Sequence, residues 1–169
     1  MQKGRIAALS LGHFFSDMYP GFLAALLPML IDKIGMTLTM AAMLVSFRSI
    51  FTSLIQPAFG HLADKLHRPL MVWLGPLMTA VFMSLIGWAD SYGAVLAIVL
   101  LSGLGTAAFH PQGAAYVGKA GARKSGLAMS IFVTGGSAGF YIGPMVIIAV
   151  TTTWGLEASP ITVVPGLII

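Results

Sequence analysis

The chain contains no cysteine, so disulfide bridges, thiolate nucleophiles and cysteine-held metals are closed to it. Charge is nearly as scarce. Asp, Glu, Lys and Arg make up 8% of the 169 residues, against about 25% in an ordinary soluble domain. So little charge cannot cover a surface in water, which excludes a soluble globular fold. Polar catalytic sets are missing too: Ser46, Ser49, Ser53, Ser84 and Ser102 lie in apolar runs with no His/Asp partner at a protease spacing. What remains is apolar. Hydrophobic residues account for 57% of the chain, and its mean hydropathy is +0.92. These values define an integral membrane protein.

Six apolar stretches follow one another at about 6–31, 38–59, 70–89, 92–117, 126–150 and 161–169. About 20 residues rising 1.5 Å each cross the hydrocarbon core, so the first five read as spanning helices. The sixth stretch begins another helix and is incomplete, so the sequence reads as a truncated gene product or a fragment. Lys3 and Arg5 before the first run resemble a signal peptide, but that run is 26 residues long and carries Asp17 and Pro28. It is expected to be retained.

Alternating spans place Lys3, Arg5, Lys65, Arg68, Lys119, Arg123 and Lys124 on one side and Lys33, Asp32, Asp90 and Glu157 on the other. By the positive-inside bias the N-terminus is cytoplasmic. The net charge of +4 therefore reflects topology, and the expected surroundings are lipid rather than nucleic acid.

Against this background the ionisable residues inside the runs stand out. Asp17 lies near mid-depth of the first, where a bare charge costs at least about 2.5–3.5 kcal/mol. His13 is four residues earlier and shares its helix face. Such residues face a bundle interior or a watery path, and they serve a pathway or tie one helix to its neighbour. Arg48, deep in the second run, needs a partner: Asp17 is the leading candidate, an anionic substrate group the second, and a reach to the interface the third. His110, beside Pro111 in the fourth run, is either a proton carrier or a hydrogen-bonded link. His13 and Asp17 offer two metal ligands and His110 a third, short of a closed shell, so neither metal nor other cofactor is expected. Gly103-Leu104-Gly105 imitates a dinucleotide fingerprint but lacks the strand and the acidic residue that motif needs. In the fifth run Gly135, Gly139 and Gly143, followed by Pro144, leave a flat stripe for another helix.

Gly60, Asp64, Lys65 and Arg68, after the second run, resemble the signature loop of major facilitator superfamily transporters. His67 stands where that family has its second glycine, and Pro69 replaces one basic residue. Gly60 is expected to permit close helix approach, and Asp64 to sit just before the third helix at its positive dipole end. Gly139-x-x-x-Gly143-Pro144 is similar to the core of the family's antiporter motif, a stripe that faces the opposite six-helix half. His13-x-x-x-Asp17-Met18, Gln56-Pro57-x-x-Gly60, Ala108-Phe109-His110-Pro111 and Ser130-Ile131-Phe132 with Gly135-Gly136 resemble the fosmidomycin-resistance branch, in the same order along the chain.

The resemblance implies an all-α membrane protein: the N-terminal six-helix half of a twelve-helix transporter, with the C-terminal half absent. It implies efflux of a drug-like small molecule in exchange for protons across the bacterial inner membrane, antibiotic resistance, and no enzymatic activity. In the family the first and fourth helices line the central cavity, so His13, Asp17 and His110 are expected to converge on the proton and substrate path, with Arg48 beside it. Two rivals stand: a non-transporting remnant or helical interaction subunit, and an uptake transporter for organic acids or sugars.

Overall fold

Three residues without an apolar role set the helix limits at one end of the bundle. Gly35 adopts the left-handed conformation (φ 68°, ψ 34°), and its N–H closes on the Ile31 carbonyl at 2.9 Å. Thr37 Oγ1 accepts from the Met40 N–H at 3.2 Å, and Ser91 Oγ from the Ala94 N–H at 3.2 Å. Each satisfies a backbone group that a helix end leaves open. A computed structural model describes residues 1–66 and 69–167. The helices are α1 (Lys3–Met18), α2 (Pro20–Ile34), α3 (Leu38–Lys65), α4 (Leu70–Ser84), α5 (Tyr92–Gly121), α6 (Ser125–Trp154) and α7 (Val164–Leu167). Tighter 3-10 turns occupy Leu85–Trp88, Ala122–Lys124 and Leu156–Val163, and no strand occurs among the described residues.

Four segments are long and apolar enough to cross a membrane: Lys3–Ile34, Leu38–Lys65, Leu70–Trp88 and Tyr92–Trp154. The last is 63 residues, about three times one crossing. It is divided at Ala122–Lys124 into α5 and α6, each 30 residues, which pack on one another.

The helix limits depart from the apolar runs in ways that local chemistry explains. The first run is two helices meeting at Tyr19. Pro20 has no N–H to offer the Ser16 carbonyl and its ring crowds that oxygen, so one rung is lost just after Asp17. Tyr19 keeps helical angles (φ −67°, ψ −43°), and the path continues beyond it. The charged segment 60–69, expected as a loop, is helical as far as Lys65. Asp64 therefore lies in the last turn of α3, at the negative rather than the positive end of a helix dipole. Arg68 and His67 lie outside the described residues. At the other end, helix was expected from Ile161, but 3-10 geometry holds to Val163. Pro160 withholds its N–H in the middle of that stretch, while Pro165 suits the first turn of α7.

Glycine decides which helices touch. A Cβ on Gly139 or Gly143 would strike the carbonyl oxygens of Phe14 and Met18, and one on Gly135 would stand 2.6 Å from the Ser10 oxygen. The stripe on α6 is thus filled by α1 of the same chain, which corrects the expectation that it faces an opposite half. Gly75 of α4 and Gly105 of α5 bring those two helices together in the same way: a Cβ on Gly75 would stand 2.7 Å from the Gly105 oxygen. Gly60 is different. A Cβ there meets Pro111 Cβ at 3.7 Å, an ordinary contact, so close approach does not require that glycine.

The main core gathers Tyr19 at the α1–α2 junction with Phe22, Leu26, Met83, Val99 and Ile147 from four helices, and a second cluster joins Ile6, Phe109, Val117, Ala128 and Phe132. In α3 only Ala41 and Leu44 are buried among the described residues, so this helix lies at the margin. A buried polar seam fastens the 156–163 segment. Ser159 Oγ donates to the Ser84 carbonyl at 2.7 Å and accepts from the Gly87 N–H at 3.0 Å, and the Tyr19 hydroxyl donates to the Thr162 carbonyl at 2.9 Å. Ser159→Ala strands two buried backbone groups and is expected to destabilise by roughly 1–3 kcal/mol. Thermal unfolding in detergent measures this, and an unchanged midpoint would show the seam to be dispensable.

Candidate functional site

The site is built where α1, α5 and α6 meet. His13 and Asp17 point from one face of α1, with His13 Nε2 3.0 Å from Asp17 Oδ2. From α5, His110 Nε2 comes to 3.1 Å from His13 Nε2 and 3.3 Å from Asp17 Oδ1. Gly136 of α6 makes the room: a Cβ there would stand 2.5 Å from His13 Nε2 and 2.8 Å from Asp17 Oδ2. The His13 ring lies stacked on Phe132, centroids 4.0 Å apart, with Phe109 on its flank. His13 is 5% exposed, while the Asp17 and His110 side chains keep 21% and 26% of their surface. All three open on a recess of about 330 Å³ whose other walls are Val133, Ser137, Phe140 and Tyr141 of α6.

The outer ring nitrogens fix the chemistry of the inner ones. His13 Nδ1 lies 2.8 Å from the Phe132 carbonyl, and His110 Nδ1 lies 2.8 Å from the Thr106 carbonyl. A carbonyl only accepts, so both Nδ1 atoms carry hydrogen and donate. In the neutral rings both Nε2 atoms are then acceptors, and they face a carboxylate that also only accepts. Three acceptors within 3.0–3.3 Å of one another repel unless a cation sits among them. A proton on either Nε2 turns the repulsion into charge-assisted hydrogen bonds. Asp17 Oδ1, buried and without a hydrogen bond, is the acceptor still unmatched.

Arg48 is close to this cluster but not paired with Asp17. Its Nη2 donates to Thr106 Oγ1 at 3.2 Å, whereas both ion-pair partners of Asp17 are histidines. The expected Asp17–Arg48 pair is therefore not formed. Thr106 is the link: its hydroxyl takes Arg48 and its carbonyl takes His110. Arg48 Nε is buried without a hydrogen-bond partner, as is Thr52 Oγ1 one turn along α3. Gly103 admits this pair to α5, since a Cβ there would lie 2.8 Å from Thr52 Oγ1. Sequence reasoning missed Thr106, although it stands one helical turn before His110. Gly136 and Phe132 carried a signal only through the resemblance.

The remaining charged residues divide between the two ends. Asp64, Gln112, Tyr116 and Lys119 line a polar recess of about 470 Å³ between α3 and α5, which Gly60 also borders. Lys3, Arg123 and Lys124 share another at the same end of α1 and α6. At the far end Lys33 Nζ binds Glu157 Oε1 at 2.6 Å, Asp90 Oδ1 at 3.3 Å and the Gly87 carbonyl at 2.7 Å. Gly139, Gly143 and Pro144 belong to neither set. They pack on α1 and on Gly21 of α2.

Apolar helices enclosing a small buried cluster of ionisable residues define a polytopic membrane protein with a polar cluster in its interior. Family comparison agrees: the model of the Major Facilitator Superfamily matches residues 9–169, and the chain belongs to that multi-pass membrane family. The fosmidomycin resistance protein of Escherichia coli is 32% identical over 152 residues, covering 90% of this chain and 37% of that protein. An uncharacterized MFS-type transporter of Bacillus subtilis, YfnC, is 31% identical over 136 residues, covering 79% of this chain and 33% of its own length. The multidrug resistance protein MdtG of Escherichia coli is 30% identical over 161 residues, or 92% and 39%. The chain thus spans little more than a third of the curated relatives it matches.

Proposed function

We propose that this chain is the N-terminal six-helix half of a proton-coupled exporter of drug-like small molecules, and that it acts with a second six-helix half. The carrying observation is the convergence of three acceptor side chains from α1 and α5 on one recess. An exchanger needs a place where cation and substrate alternate, and a buried acceptor cluster beside a small cavity meets that need. Relatives named for resistance to fosmidomycin and to multiple drugs favour export of drug-like compounds over uptake of nutrients. In this reading His13, Asp17 and His110 hold the proton. The six helices are α1 with α2, α3, α4, α5, α6 and one that begins at α7.

The basic end, with Lys65, Lys119, Arg123 and Lys124, faces the cytoplasm of a bacterium, and the protein resides in its inner membrane. Gly60, Asp64 and Lys65 form the cytoplasmic gate against α5, to which Arg68 belongs by its place in the signature sequence alone. Gly139, Gly143 and Pro144 keep α6 and α1 moving as one body when the halves rock. Arg48 takes an anionic group of the substrate, a role favoured by its unmatched Nε and the unmatched Thr52 hydroxyl. Arg48→Leu is then expected to abolish export of anionic drugs while leaving the protein in the membrane. Unchanged export by that variant removes Arg48 from the pathway.

The direct test expresses this chain with a second six-helix half from a relative and measures accumulation of labelled fosmidomycin in the cells. Accumulation below the vector control, restored by a protonophore, is the expected result. Undiminished accumulation with both halves in the membrane overturns the proposal. Export that ignores the protonophore removes its proton-coupled part.

A further inference from the structure

The cluster that holds a proton in the neutral-ring argument has a second property that stands on geometry alone and does not depend on transport. Its ligand atoms are spaced for a metal. A tetrahedral Zn2+ with bonds of about 2.0–2.1 Å separates its ligand atoms by about 3.3–3.4 Å. Here His13 Nε2, His110 Nε2 and the Asp17 carboxylate stand 3.0, 3.1 and 3.3 Å apart in pairs, the carboxylate showing Oδ2 to His13 and Oδ1 to His110. With one ligand atom from each residue the three lie within 4.8 Å of one another, so a small rotation of the Asp17 carboxylate would seat the ion.

Three further features favour it. Each histidine donates Nδ1–H to a backbone carbonyl, Phe132 for His13 and Thr106 for His110. That is the outer-shell contact that fixes Nε2 as the free lone pair and orients the ring in metal sites. The His13 ring is further immobilised by its stacking on Phe132. Two imidazoles and one carboxylate favour Zn2+ and its first-row neighbours over Mg2+ or Ca2+, which prefer oxygen alone. The fourth vertex opens on the recess lined by Ser137, Phe140 and Tyr141, where water or an oxygen of a bound molecule completes the shell. Three side chains with one open position is the pattern of an accessible zinc site rather than of a closed structural one.

We infer that His13, Asp17 and His110 form a binding site for a divalent transition-metal ion, Zn2+ in particular, with one coordination position open to the recess. The same three residues are short of a closed shell in the sequence; what the structure adds is their convergence and an open fourth position at the recess.

The test uses the chain in lipid nanodiscs at neutral pH, with Co2+ as the spectroscopic probe and Zn2+ as its competitor. One Co2+ per chain is expected, with the intense visible bands of tetrahedral cobalt, and equimolar Zn2+ should erase them. Asp17→Asn and His110→Ala should each lose the bands while retaining the helical far-ultraviolet signal of the parent. His110→Cys gives a positive control that does not rely on loss. The chain has no other cysteine, so a thiolate-to-cobalt charge-transfer band can arise only from the new ligand. Weak octahedral bands in the parent chain overturn the inference. So do tetrahedral bands that survive His110→Ala, which would place the ion on other residues such as His61 or His67, or bands that His110→Cys leaves unaltered.

Discussion

Asp17→Asn is expected to reduce proton-coupled export to the level of cells lacking the transporter, with normal insertion and abundance. Asparagine preserves the size of the side chain and one acceptor, but it removes the negative charge facing His13 Nε2 at 3.0 Å and His110 Nε2 at 3.3 Å. Without that charge an imidazolium at this depth has no counter-ion, and burying an unpaired charge is costly. The cluster then no longer alternates between a protonated and an unprotonated state. The amide also brings donor hydrogens into a pocket of acceptors and satisfies them permanently. Drug-induced proton release from inverted vesicles is the measurement. Release at the parent rate would remove Asp17 from the coupling step, whereas loss of release together with loss of the protein from the membrane would mark a folding defect. Downhill drug exchange, which needs no proton, separates the two.

Gly139→Ala should produce a large loss of stability, in the class of methyl additions at Gly87 and Gly143 that also meet a backbone oxygen. The new Cβ falls on the Phe14 carbonyl oxygen, with Phe14 Cα only 3.0 Å away, so the obstruction is backbone and cannot rotate aside. Relief requires α1 and α6 to separate along their whole contact, and overpacking of this kind costs about 3 kcal/mol. Gly60→Ala is the matched control. It places a methyl 3.7 Å from Pro111 Cβ, and exchanging a helix glycine for alanine is worth up to about 1 kcal/mol in favour of the variant. Thermal unfolding of the two variants in the same detergent should therefore move in opposite directions. Equal midpoints would show that the α1–α6 contact yields to a methyl group at little cost.

How much of this was legible in the sequence depends on which coordinate a residue pattern encodes. Spacing encodes the face of a helix, so His13 and Asp17 could be placed side by side from their separation alone. It also encodes depth, which is why Arg48 and Asp17 were matched. Depth does not give azimuth, however, and Arg48 turns instead to Thr106 on α5. The glycine stripe was visible as a stripe, but nothing in its spacing says which neighbour fills it, and the answer is α1. Limits were misread where polarity was taken for a stop signal. Charged residues continue a helix readily, and α3 runs through Gly60 and His61 to Lys65 because no proline follows until Pro69. Pro20 was in plain view, yet its effect is a missing rung rather than a turn, and hydropathy has no means of registering that. The arrival of His110 beside His13 rested on the resemblance to a family, since nothing local links residues on separate helices.

The charges at the two ends of the bundle respond to dissolved salt with opposite sign. At one end Lys33 is held by Glu157 and Asp90 across three pieces of chain, an attraction that counter-ions weaken. At the other, Lys3, Arg123 and Lys124 share one recess while Lys119 lines a second with Asp64, so positive charge is in excess and counter-ions relieve a repulsion. The screening length falls from about 30 Å in dilute buffer to about 8 Å at physiological strength. Raising ionic strength therefore slackens the Lys33 end as it lets the basic end draw in.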